Sequence, residues 1–252
     1  MQEIWSLCYG SQHIQNIETQ LIRVVESQEQ VATMELVHSV KDQSILEDLI
    51  EKSKPRQQHP EIDINRHYLI HTPFRYTPLP HGSRFGTRFY RGIFYSSLQY
   101  LTAFAECAYY RLLFYSGMAV EPPKRQIITQ HTSFCVDLKT DKGILLYKEP
   151  FRVYQNAISS PTDYAASQKL GVDMRAAGVE AFAYISARDS ERGVNFGVYS
   201  EQSIKGVPNN IQHWSSLTNN QKVQIQNHVE KTGFEFERQQ FTIDGRLPSP
   251  AF

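Results

Sequence analysis

The sequence predicts an α+β fold. Short strand-like stretches and longer helix-like ones are mixed along 252 residues without the regular alternation of a doubly wound sheet. The strand-like stretches are rich in β-branched and aromatic residues and are flanked by Gly and Pro, whereas the helix-like ones are longer. Hydrophobic residues at 40% and charged residues at 21% suit a chain that folds around one substantial core.

Taken in order, Ile14, Ile17, Leu21, Ile22, Val24 and Val25 recur near helical spacing. Ile45, Leu46, Leu49 and Ile50 form a second such set. Residues 1–60 therefore read as a helical N-terminal extension. Its end is marked by a charged stretch over 52–60 that holds two prolines, a linker before the main domain of 61–252. Within that domain His67–Ile70 and Gly92–Ser96 read as short strands, Leu98–Tyr115 as a helix and Ser133–Leu138 as another strand. Ser160 followed by Pro161 is a good cap and first-turn pair for a helix running to Gly178. Glu180–Ile185 and Asn195–Tyr199 form an expected strand pair. Ser216–Val229 reads as helical, and Phe234–Ile243 alternates like a strand.

The bulk numbers exclude several classes. Twenty-six basic and 26 acidic side chains cancel, which argues against a protein whose main work is coating nucleic acid. Three scattered cysteines, Cys8, Cys107 and Cys135, have neither disulfide-framework nor metal-ligand spacing and fit a reducing compartment. The opening MQEIWSLCYGSQ lacks the features of a signal peptide. No apolar run approaches the roughly 20 residues that cross a bilayer. The expected location is the cytoplasm, with no membrane partner. There is no P-loop, GxGxxG, HExxH or paired-cysteine motif, and the expected site holds no metal.

One segment carries a chemical bias. From Ile64 to Ala105 there is no Asp or Glu, while the same stretch holds Arg66, Arg75, Arg84, Arg88 and Arg91 and ten aromatics between Tyr68 and Phe104. Guanidinium forks pair with phosphates, and aromatic faces stack on flat rings. A dinucleotide meets that description, and so does single-stranded nucleic acid. The next acid, Glu106, separates the two, because a lone carboxylate in an apolar helix does nothing for phosphates. It can stabilise the oxocarbenium-like charge that develops when nicotinamide leaves a ribose. Each residue alone has an ordinary structural explanation: a solvated Glu, a surface ion-pair Arg, a core Phe. Their co-occurrence carries the reading.

The runs Tyr68–Tyr76, Gly82–Gly86, Gly92–Ser97 and Thr102–Glu106, then Ala177–Asp189 and Gly193–Asn195, resemble the RES-domain proteins, a family named for an arginine, a glutamate and a serine. Arg84, Tyr95 and Glu106 stand eleven residues apart by subtraction, which fits that pattern, and the serine aligns with Ser186. The resemblance is strongest over 65–205. It implies an ADP-ribosyltransferase-like mixed β core with flanking helices and an enzyme that degrades NAD⁺ by cleaving the nicotinamide–ribose bond. The acceptor would be water (a glycohydrolase) or inorganic phosphate (a phosphorylase). NAD⁺ is then substrate, with no further cofactor. The resemblance also implies a toxin of a bacterial toxin–antitoxin system, restrained by an Xre-type antitoxin or another inhibitory protein.

Carried over to these positions, Glu106, Arg84 and Tyr95 form the catalytic set and Arg75, Tyr76, Ser186 and Arg188 bind substrate. Arg75 and Arg84 would hold the pyrophosphate, and Tyr76 and Tyr95 would flank the nicotinamide ribose. Ser186 would hydrogen-bond substrate from the far strand, and Arg188 would add a phosphate ligand. The N-terminal extension is open to partner docking or to homo-oligomer formation. Alternatives from other classes are an ADP-ribosyltransferase acting on a macromolecule, an RNA-binding or RNA-cleaving module and a non-catalytic interaction protein.

Overall fold

The elements succeed one another as α1 (Ile4–Leu7), β1 (Gln15–Glu26), α2 (Val40–Ser53), α3 (Tyr68–Arg75), β2 (Phe94–Ser97), α4 (Tyr100–Ser116) and β3 (Ile127–Leu145). After these come α5 (Gln155–Ile158), α6 (Ala165–Ala176), β4 (Ala181–Ile185), β5 (Val194–Val198), β6 (Ile204–Thr218), β7 (Lys222–Asn227) and β8 (Thr232–Glu237). The computed structural model describes residues 3–27, 37–53, 66–76 and 78–249. The boundary expected within 52–60 falls on positions of which only Lys52 and Ser53, the end of α2, are among the described residues.

The eight strands form one mixed sheet in the order β1-β2-β5-β4-β3-β6-β7-β8, with β1 also paired to β3. Because β1 meets both β2 (Ile22 opposite Ser97) and β3, the pairings close a ring through β5 and β4. β3 is long enough to hold β1 along one edge while its other edge passes from β6 to β4. Of the pairings described, β3–β4 is parallel and the others are antiparallel. This is the α+β architecture expected, a mixed sheet with flanking helices.

Three element assignments are corrected. Ile14–Val25, expected as helix, is largely β1, which runs antiparallel to β3 from Gln15 opposite Gly143 to Glu26 opposite His131. Its Ile, Thr and Val side chains are stiff at χ1 and suit a pleated surface, and Ile17 and Leu21 are buried on one face. Among the described residues the N-terminal extension is thus helical only in α1, α2 and a 3-10 turn over Gly10–His13. His67–Ile70, expected as strand, lies at the start of α3. His67 Nδ1 caps that helix by accepting from Leu69 N–H at 3.3 Å, and Ile70 and Phe74 share a buried face four residues apart. Ser216–Val229, expected as helix, is the end of β6 and all of β7. Val223, Ile225 and Asn227 alternate inward, and Asn219 Oδ1 accepts the N–H groups of Gln221 and Lys222 to turn the chain.

Two boundaries also move. The helix expected to open at Ser160 begins at Ala165, because Ser160 Oγ instead accepts from the N–H groups of Thr162 and Asp163 in a local turn. The strand expected over 234–243 ends at Glu237 and gives way to a tight helical turn over Arg238–Phe241. The helix at 98–115 and the strand pair at 180–199 are found where expected.

Packing fixes α4 against the sheet. Phe104, Ala105, Ala108 and Leu112 form one buried cluster with Trp214 of β6 and Ile225 of β7. The helix stops at Gly117, whose N–H bonds the Leu113 carbonyl at 3.0 Å. A second cluster joins Phe85 to Phe182 and Tyr184 of β4 and to Leu170 and Met174 of α6. These two contacts fix α4 and the loop before β2 relative to the strand ring. None of the helices described is long and apolar enough to cross a membrane.

Candidate active site

Strands β1, β2, β4 and β5 together with α4 wall a cavity of about 320 Å³. Glu106 enters it from the second turn of α4. Ser186 Oγ donates to Glu106 Oε1 at 2.6 Å and Asn195 Nδ2 donates to the same oxygen at 2.6 Å. Asn195 is held in turn by Ser97 Oγ, which donates to its Oδ1 at 2.6 Å. Ser186 Oγ also accepts from the N–H groups of Arg188 and Asp189, each at 3.1 Å. Its one proton is therefore committed to Glu106. The hydroxyl orients a carboxylate and is no nucleophile.

The turn after Ser186 is braced from α4. Asp189 Oδ2 accepts from Thr102 Oγ1 at 2.8 Å and from Gly193 N–H at 3.1 Å. A side chain at Gly193 would collide with both, since a Cβ there would stand 2.0 Å from Thr102 Oγ1 and 2.5 Å from Asp189 Oδ2. Glycine is required by this close approach.

Arg84 reaches the cavity from a tight turn in which Ser83 and Gly86 bridge each other. Its guanidinium lies 4.5 Å from the Tyr164 ring centroid, and Nη1 donates to the Ser160 carbonyl at 2.6 Å. Tyr95 on β2 holds this turn: its hydroxyl lies 2.9 Å from Ser83 Oγ and accepts from Phe85 N–H at 3.1 Å. Burial pushes the Tyr95 phenol up to about 12, although the bonds to Ser83 and Phe85 and the charge of Arg84 pull the other way. Tyr95 is a neutral hydroxyl that positions Arg84.

A Cys–His pair also faces the cavity. Cys107 Sγ lies 3.7 Å from His131 Nδ1, and His131 Nε2 lies 2.9 Å from Ser216 Oγ. Burial drives the thiol up to about 12, and burial followed by the charge of Arg111 drives the imidazole down to about 4. At neutral pH neither is charged, so this pair supplies no thiolate.

Arg84, Tyr95 and Glu106 all line the one cavity, and Ser186 touches it through Glu106. Arg188 is buried nearby, its guanidinium 3.6 Å from the Tyr109 ring centroid and Nη2 donating to the Pro161 carbonyl at 3.1 Å. Tyr76 lines a second cavity of about 150 Å³, and Arg75 lines neither. Among the described residues no group of three or more His, Cys, Asp or Glu side chains could hold a metal ion. Several aromatics of the Arg-rich run are core: Phe74, Phe85, Phe94 and Phe104 are at most 2% exposed and offer no face to a nucleic acid.

The RES-domain model matches residues 60–218, more than half of the chain. The chain belongs to the RES-domain family. Among solved structures, this RES domain is similar to a chain of the M. tuberculosis MbcT–MbcA toxin–antitoxin complex, at 11% identity and a TM-score of 0.48, over 87% of this chain and 94% of that one. No curated protein matches it.

Two residues at the RES site carry no role in the sequence reading. Asn195, the second donor to Glu106, stands in the motif Gly193–Val–Asn195, but an Asn in a strand gives no chemical signal of its own. Arg23 lines the cavity from β1, a segment the apolar spacing placed in a separate extension. Only a strand assignment for β1 would have brought it near.

Proposed function

We propose that this RES domain breaks the nicotinamide–ribose bond of NAD⁺, passing the ADP-ribosyl group to water or inorganic phosphate. One observation carries the reading: a carboxylate, Glu106, whose Oε1 is pinned by Ser186 and Asn195 inside a cavity that also holds the cationic Arg84. With Oε1 occupied by two donors, Oε2 is the oxygen left to receive a ribose hydroxyl. The bond from ribose C1′ to the nicotinamide nitrogen breaks with its electron pair going to nitrogen. The leaving group is then neutral and needs no general acid. The positive charge left on the sugar sits beside a carboxylate that is already oriented, so the transition state gains more than the ground state. A water oxygen adds to C1′ and loses its proton, giving ADP-ribose; a phosphate oxygen gives the ADP-ribose phosphate ester instead.

Family membership supports a cellular setting in which this activity is toxic and an Xre-type antitoxin holds it in check. Incubation of the purified protein with NAD⁺, with and without phosphate and with products followed by mass, tests the chemistry. Free nicotinamide with ADP-ribose or its phosphate ester is the expected outcome. Radiolabel from NAD⁺ retained on added protein or RNA would identify a macromolecular acceptor and overturn it.

A further inference from the structure

The family match begins at residue 60, yet a cation from outside it lines the site. Arg23 of β1 lines both the cavity of Glu106 and the neighbouring cavity of about 150 Å³, and Val25 and Glu26 of the same strand are shared with it. The second cavity has a different character. Tyr68, Tyr76, Leu69 and Pro73 give it phenol and apolar faces, which suit a flat ring. The guanidinium of Arg23 sits 4.7 Å from the Phe94 ring centroid, and Nη1 donates to the Tyr95 carbonyl. Its Nε is buried with no hydrogen-bond partner. Arg23 is half-buried and lines both cavities, so an anion bound there would offset the cost of taking its charge partly out of water. Glu26 does not do so for Arg23, since its carboxylate lies 3.1 Å from Arg111 Nη1.

A dinucleotide consists of two ring-bearing nucleosides joined through a diphosphate. One cavity holds the carboxylate for the reacting sugar, the other offers ring-stacking faces, and Arg23 stands in the wall they share. We propose that Arg23 binds the diphosphate of the substrate, with the non-reacting nucleoside in the cavity of Tyr68 and Tyr76. This assignment deepens the NAD⁺ reading above and rests on it. Burial lowers the Arg23 pKa only to about 10, so the group remains a cation at neutral pH. Arg84, tied to Ser160 and Tyr164, supplies a second positive charge in the lining of the Glu106 cavity.

ADP and adenosine are the probes, because their affinities differ only through the diphosphate. Calorimetry on the full chain should show ADP binding more tightly than adenosine. Arg23→Met should shrink that preference by about tenfold or more, the scale of a charge-assisted bond to phosphate, while adenosine affinity stays unchanged. Arg23→Lys, which keeps the charge but loses the fork, should shrink it by a smaller factor, and it decides the question if the Met variant fails to fold. Equal weakening of both probes would mark Arg23 as merely structural and overturn the proposal, as would a wild type with no preference for ADP. NAD⁺ turnover separates the two claims. Cleavage without ADP preference leaves the activity standing and removes Arg23, whereas ADP preference lost in Arg23→Met without any cleavage does the reverse.

Discussion

At the scale of single residues, the site is a chain of commitments ending on one oxygen. Ser97 orients Asn195, Asn195 and Ser186 orient Glu106, and two backbone N–H groups orient Ser186. Removing the Ser186 hydroxyl leaves the N–H groups of Arg188 and Asp189 without this acceptor and Glu106 with one donor fewer. Ser186→Ala should therefore cost about 1–3 kcal/mol of stability by denaturant titration. It should also lower kcat by about tenfold more than it changes KM, since the loss is in orientation. Tyr95→Phe should act differently. It frees the turn that presents Arg84 and, on the proposed NAD⁺ reaction with Arg84 as a phosphate-binding cation, should raise the KM for NAD⁺ in steady-state assays.

At the scale of elements, β1 decides both the fold and the site. Leu21 is fully buried within it, and Leu21→Ala should lose about 2–5 kcal/mol, measurable by chemical denaturation. A chain shortened to residues 60–252 should fail to show a cooperative thermal transition, because β3 and β2 would each lose a paired edge. The β3–β6 pairing carries a pH dependence. His131 is buried against Ser216 and Thr129 with its pKa depressed to about 4. Unfolded, it titrates near 6.5, so the unfolded chain takes up a proton first as pH falls. Stability should be undiminished above pH 6.5 and fall by up to about 3 kcal/mol between there and pH 4. Melting curves of wild type and His131→Gln across that range should converge at the acid end.

At the scale of the whole molecule, what the sequence made legible was chemistry more than topology. The Arg-rich run and the isolated Glu106 are local composition, and Arg84, Tyr95 and Glu106 line one cavity because α4 and the turn at Ser83–Gly86 are local structures. β1 reads as helix because its Ile and Val positions satisfy helical and strand spacing alike, and only the partner β3, more than a hundred residues later, settles the choice. β7 is as hard to read, because the alternation of Val223, Ile225 and Asn227 spans only six residues. Arg23 and Asn195 became visible only once the strand ring closed. The most direct test of the account compares NAD⁺ loss by wild type and Glu106→Gln, the near-isosteric change that keeps an acceptor for Ser186 and Asn195 but removes the charge. The variant should fold like wild type, still bind ADP, and turn over at least about a hundredfold more slowly. A variant as fast as wild type would contradict it.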